Sequence, residues 1–202
     1  MKIAGPKLLV TGFGPFPGAP ENPTERLVRA LAEEPAQVFG ASAFEALVLP
    51  TEYARSWAML RRTYRRFDPD VVIHFGLSGR AKAIDVETVA RNRVATDKPD
   101  SAGLAPRAGY VRRGGPETLP ATVPTDAILA ALKGKGIAAQ VSEDAGDYVC
   151  NATLYRSLRA APAGRRVGFI HVPQPRRHFT GGDLLEAARI ALLAALDRPS
   201  SS

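Results

Sequence analysis

Residues 71–76 read Val-Val-Ile-His-Phe-Gly, an apolar run broken only by His74 and fenced by Asp68-Pro69-Asp70. A strand with one face in water alternates apolar and polar residues. An unbroken run instead needs cover on both faces, the setting of a central strand with helices above and below. Val167-Gly168-Phe169-Ile170-His171-Val172, closed by Pro173, repeats the pattern. Lys7-Leu8-Leu9-Val10, running into Thr11-Gly12, is a shorter third case. Ala43–Leu49, Ile84–Val89 and Ile137–Val141 add three candidate strands.

Helical segments fall between them. Asn22 ahead of Pro23, with Glu25 three positions on, gives an N-cap, a proline at the first helical position and an acidic first turn. Leu27, Val28 and Leu31 continue it at helical spacing. Glu52–Phe67 sets Trp57, Leu60 and Tyr64 on one stripe and arginines opposite. Thr125–Leu132, Asn151–Leu158 and Asp183–Leu196 are further helices, the last with Leu184, Ala187, Ala188, Ala191, Leu192 and Ala195 on one face. Residues 99–119, rich in Gly and Pro, predict a loop or an irregular hairpin. Strands alternating with helices at this rhythm predict an open α/β sheet with helices on both faces. With neither repeat nor linker in sight, residues 1–197 are expected to form one domain, and 198–202 a disordered tail.

One cysteine in 202 residues excludes an intramolecular disulfide framework and a multi-cysteine zinc site, and fits a reducing compartment. Neither an apolar stretch of membrane length nor a secretory h-region after Lys2 is present, so the cytoplasm is the expected location. The net charge of +7 comes mostly from arginines in scattered pairs, such as Arg61-Arg62, Arg112-Arg113 and Arg176-Arg177. Scattered pairs without a nucleic-acid motif predict a solvated surface rather than a binding stripe.

Cys150 follows the turn Asp144-Ala145-Gly146-Asp147 and stands just ahead of a helix predicted to start at Asn151. A thiol at a helix N-terminus meets free N–H groups and the positive dipole end, which favour a thiolate and are able to hold an oxyanion. A buried structural cysteine is the plainer alternative. His171 ends a strand, where open α/β sheets place functional groups, and is a candidate base. His74 has the same local setting, so context does not choose between them, while His178 sits in a polar loop. In the alternation 84–89, Asp85, Glu87 and Val89 share one face, either solvent or a site. The three histidines and one cysteine show no metal-ligand spacing.

Four collinear segments resemble the pyroglutamyl-peptidase I (pyrrolidone-carboxylate peptidase) family. They are Val10-Thr11-Gly12-Phe13-Gly14-Pro15-Phe16-Pro17-Gly18 with Asn22-Pro23, and His74-Phe75-Gly76-Leu77 with Ile84–Ala90. Ala145-Gly146-Asp147-Tyr148-Val149-Cys150-Asn151 and Gly168-Phe169-Ile170-His171-Val172-Pro173 complete the set. The resemblance spans about residues 7 to 196. It implies a single-domain three-layer α/β/α sandwich with a twisted, mostly parallel sheet, no cofactor or metal, and removal of N-terminal pyroglutamate through a thioester acyl-enzyme. It further implies Cys150 as nucleophile, His171 as base and Glu87 as its orienting carboxylate, which chooses His171 over His74. Phe13 and Phe16 would clamp the lactam ring, with Leu77, Tyr148 and Val149 as further pocket residues. The expected partner is a pyroglutamyl peptide, neither nucleic acid nor membrane, and the assembly a homodimer or homotetramer.

The pattern departs at Asp97 and Lys98, where the family carries an arginine and an apolar residue. It departs again at Glu143-Asp144, where the family tends to have Asn-Ser. Arg91, Arg93 or Lys98 would be the nearby source of the missing cation. The segment Gln174–Gly182 is also short, and Ser78-Gly79-Arg80 replaces a typical Pro-Gly-Arg. Two other readings stay open at this point: a hydrolase of another cyclic or blocked N-terminus, and a non-catalytic binding homologue with an anionic partner.

Overall fold

The computed structural model describes residues 5–177 and 179–197. His178 and the 198–202 tail lie outside the described residues.

Continuous apolarity gives the central strands. β1 (Lys7–Phe13), β2 (Ala43–Leu49), β3 (Val71–Leu77), β4 (Ile84–Glu87), β7 (Ala139–Ser142) and β8 (Arg166–Val172) form a six-stranded sheet in the order β2-β1-β3-β8-β4-β7. Neighbours run parallel except β4 and β8, which are antiparallel. Two further strands, β5 (Val89–Arg91) and β6 (Thr118–Pro120), pair in a separate two-stranded sheet. The stretch read as one strand over 84–89 thus changes partner at Thr88. Its N–H donates to Ser142 O at 2.8 Å and its carbonyl accepts from Ala121 N at 2.8 Å, which turns the chain out of the main sheet.

Helices cover both faces, giving the three-layer α/β/α sandwich. On one face α1 (Pro23–Ala32), α3 (Thr125–Gly134) and α5 (Gly181–Leu196) pack over Leu8, Val10, Ile73, Phe75, Val86 and Ile170. On the other, α2 (Tyr53–Phe67) and α4 (Val149–Ala160) pack over Leu9, Phe13, Val72, Val167 and Phe169. The period-two alternation of each strand sorts its residues between these two cores.

The sequence signal at the start of α1 is realised. Asn22 accepts from Thr24 N, with Pro23 at the first helical position. α5 begins earlier than its periodicity suggested, because Thr180 and Asp183 exchange hydrogen bonds in a capping box that recruits Gly181 and Gly182. Among the described residues no helix is long and apolar enough to cross a membrane.

His74, mid-strand on β3, is fully buried on the α2/α4 face. Its Nδ1 lies 2.7 Å from Thr11 Oγ1 and its Nε2 3.0 Å from Ser157 Oγ, which also accepts from the Tyr64 hydroxyl at 2.8 Å. Both ring nitrogens are therefore engaged by hydroxyls, and burial pushes the imidazole down to about 3. Between that value and the usual 6.5 the unfolded chain binds one more proton than the folded one. The stability His74 contributes is complete above 6.5 and is lost as pH falls toward 3. The expected slope from this group is about 1.4 kcal/mol per pH unit. Denaturant unfolding across that range, in the native chain and in His74→Gln, measures it; an equally steep slope in the variant would contradict the assignment.

Candidate active site

The C-terminal ends of β1, β3 and β8 open onto one cavity of about 720 Å³, lined by Cys150, His171, Glu87, Phe13, Phe16, Leu77 and Tyr148 among others. Among the catalytic and pocket candidates marked from sequence, Val149 and His74 are absent from its lining, as are Arg91 and Arg93, two of the proposed cation sources. Val149 is the first residue of α4 and is fully buried in the core beneath it. His74 is consumed by the hydroxyl network described above.

α4 begins at Val149 rather than Asn151, so Cys150 is inside its first turn. The Asp144–Asp147 turn runs through Gly146, whose φ of 82° suits glycine. Tyr148 then takes the N-cap position in extended conformation, without a side-chain cap. The amide hydrogens of Val149, Cys150 and Asn151 have no intrahelical acceptor by helix geometry. They are free donors at the positive end of the helix dipole, in the same turn as the thiol.

His171 is the penultimate residue of β8, flanked in register by Gly76 on β3 and Asp85 on β4. Because β4 runs antiparallel to β8, Glu87 stands opposite Phe169, two residues from His171 on the same face. That diagonal is within reach of a long side chain. Glu87 Oε1 is 2.7 Å from His171 Nδ1, and Glu87 is 1% exposed. The Phe169 ring lies 4.7 Å from the imidazole, centroid to centroid, and stacks on Phe13 at 6.3 Å. The second carboxylate oxygen, Oε2, is buried without a partner among the described residues.

With Nδ1 committed to Glu87, Nε2 is the ring nitrogen left for Cys150, which lines the same cavity. Burial pulls the imidazole down, but the hydrogen bonds and charges of Cys150 and Glu87 outweigh it and leave His171 raised to about 10. Gly76 makes room for this meeting. A Cβ there would lie 2.6 Å from the Phe169 ring and 3.1 Å from Cys150 Sγ, so the sulfur occupies space that a larger residue would take.

The aromatic wall comes from separate segments of the chain. Phe16, held by a tight turn with Ala19, sits 6.2 Å from Tyr148, whose edge meets Tyr53 at 5.7 Å and whose hydroxyl donates to Pro99 O at 2.9 Å. Asp97 and Lys98 line the same cavity on its exposed rim. Lys98 Nζ donates to Asp147 Oδ1 at 2.7 Å and Arg93 to Asp144 Oδ1 at 2.6 Å, while Arg91 donates to the Glu143 carbonyl. Two cations of the 91–98 segment thus meet two carboxylates ahead of the nucleophile, Lys98 at Asp147 and Arg93 at Asp144. Both pairs are exposed and solvent-screened, so they compensate charge locally without adding much stability.

Sequence reasoning assigned no role to Asn151, although its placement right after Cys150 was a signal. Buried in the first turn of α4, it accepts from Arg91 N at 2.9 Å and donates to Arg91 O and Arg93 O at 2.8 Å each. The helix carrying the thiol is thus stitched to the strand-and-loop segment of the rim. Among the described residues no group of three or more His, Cys, Asp or Glu side chains is placed to hold a metal ion.

A sequence model of the family described as "Pyroglutamyl peptidase" matches residues 6–180. The pyrrolidone-carboxylate peptidase of Clavibacter michiganensis subsp. michiganensis is 37% identical over 181 residues, covering 88% of this chain and 83% of that protein. That of Pyrococcus furiosus is 38% identical over 173 residues, covering 83% and 80%. Among solved structures, pyrrolidone carboxyl peptidase from Thermococcus litoralis superposes with a TM-score of 0.87 at 28% identity, over 95% of this chain and 94% of that one. Pyroglutamyl peptidase I from Bacillus amyloliquefaciens does so with 0.87 at 29% identity, over 96% of each.

Proposed function

The chain belongs to the pyroglutamyl peptidase family, and from that premise we propose that Cys150, His171 and Glu87 are the nucleophile, base and orienting carboxylate with which it hydrolyses pyroglutamyl peptides. It is a cysteine peptidase acting on peptides that begin with pyroglutamate. The observation that carries the residue assignment is the 2.7 Å contact between buried Glu87 and His171 Nδ1, which leaves Nε2 for the thiol that lines the same cavity at the head of α4.

The sequence of steps follows from those positions. His171 Nε2 takes the thiol proton, and the sulfur attacks the pyroglutamyl carbonyl carbon, forming a C–S bond. The carbonyl oxygen takes up negative charge, which the free N–H groups of the first turn of α4 stabilise. The imidazolium then passes its proton to the departing amine, the C–N bond breaks, and a thioester remains. Water, deprotonated by His171, attacks the thioester and releases pyroglutamate and the thiol. Glu87 fixes the tautomer and stabilises the imidazolium in both halves.

Phe13, Phe16, Leu77 and Tyr148 give a flat apolar slot suited to a five-membered lactam. Val149 supports this slot from the core beneath. A nucleophilic thiol has to stay reduced, which suits the cytoplasm. The six-stranded sheet draws its strands from residues 7 to 172, and we read the chain as one domain that assembles as a homodimer or homotetramer.

Purified protein is expected to cleave a fluorogenic pyroglutamyl amide and to leave the prolyl and glutamyl amides of the same leaving group essentially intact. Equal turnover of the prolyl amide, which lacks the lactam carbonyl, would overturn the substrate assignment.

A further inference from the structure

Away from the catalytic cleft, a cavity of about 570 Å³ lies between α2 and α4, lined by Arg61, Arg112, Arg156, Arg159, Trp57 and Tyr155 together with Tyr53 and small apolar residues. Arginines that are scattered in the sequence converge here. Residues 57 and 61 sit one helical turn apart on α2, 156 and 159 one turn apart on α4, and Arg112 reaches in from the long loop. None of the described lining residues is an aspartate or glutamate. The side chains of Arg61, Arg112 and Arg159 have neither ion pair nor hydrogen bond with any described residue. Arg156 is half-buried and donates to the Tyr53 carbonyl, so its charge too lacks a carboxylate.

Four like charges around one concave, partly apolar surface repel one another, and the low-dielectric walls focus their field into the groove. An anion relieves that repulsion. Guanidinium forks match the paired oxygens of phosphate, and the half-buried Trp57 brings to the lining an aromatic ring of the kind on which a flat ring stacks. The volume is that of a small-molecule site. An acidic peptide spaces its carboxylates along an extended chain, whereas a nucleoside triphosphate carries its charges on adjoining groups, which suits four arginines sharing one cavity. We propose that this groove is a binding site for a nucleoside polyphosphate, distinct from the catalytic cleft.

Trp57 is the only tryptophan of the chain, so its emission reports occupancy directly. ATP titrated into the full chain, with excitation at the red edge of indole absorption, is expected to give a saturable change. Arg61→Glu and Arg159→Glu, both at exposed positions, are each expected to weaken binding by about tenfold or more, the loss typical of a charge-assisted contact. Arg62→Glu makes the same charge change on the same helix outside the groove and is expected to leave binding within about twofold. The proposal is overturned by an absent or non-saturable change, by Arg62→Glu weakening binding as much as Arg61→Glu, or by inorganic triphosphate binding as tightly as ATP. Tighter binding of a single-stranded oligonucleotide would reassign the groove to nucleic acid. A shift of Trp57 emission with protein concentration alone would assign it to a second copy of the chain.

Discussion

Cys150→Ala is expected to lower the rate on a pyroglutamyl amide by at least about 10,000-fold, the scale seen when a nucleophile is removed from a unit that works with its base. Cys150→Ser is expected to come close behind, since a hydroxyl gives up its proton to imidazole far less readily than a thiol does. The fold should survive both changes. Cys150 is half-buried on the cavity wall, and losing its sulfur leaves space continuous with the cleft rather than a sealed void. A second readout separates chemistry from damage. Part of what raises His171 comes from Cys150, so its imidazole should titrate at lower pH by NMR in Cys150→Ala. Comparable turnover by the alanine variant, or by wild type after thiol alkylation, would sink the mechanism.

Glu87→Gln is expected to cost roughly 100- to 10,000-fold in rate while preserving size and shape. The carboxylate is buried, one of its oxygens faces the imidazole at 2.7 Å, and the other has no partner among the described residues. Its negative charge is therefore answered chiefly by a protonated His171. A neutral amide removes that stabilisation and is equally able to present N–H to Nδ1, which would select the wrong tautomer. The sign of the pH effect follows. Burial lowers His171 while Cys150 and Glu87 raise it to about 10; without the Glu87 charge the imidazolium deprotonates earlier on the alkaline side. The alkaline limb of the pH–rate profile should move to lower pH, together with the fall in maximal rate. A profile that drops in height with its alkaline limb unmoved would reduce Glu87 to a packing role.

Much of this architecture was legible because its signals are local. The unbroken run 71–76 became a central strand, and Asn22-Pro23 began a helix where capping chemistry placed it. Alternation along 84–87 put Asp85 and Glu87 on one face. It left open whether that face met water or a site, because alternation carries no information about the neighbouring strand. The start of α4 was misplaced by two residues, since Val149 and Cys150 are weak helix signals whose position is set by the turn before them.

The amino-acid sequence by itself determined which segments are strands and helices, that one sulfur is available, and which family motifs the chain carries. Periodicity, capping and turn chemistry act between residues a few positions apart, and so are written in order along the chain. Only the tertiary structure decided that Glu87 meets His171 across 84 residues, that His74 is spent on Thr11 and Ser157, and that separated arginines share a groove beside Trp57. Those outcomes depend on β4 entering the sheet antiparallel beside β8 and on α2 packing against α4. Such pairings are chosen by how the whole chain buries its apolar surface, a competition among distant segments that no local pattern records.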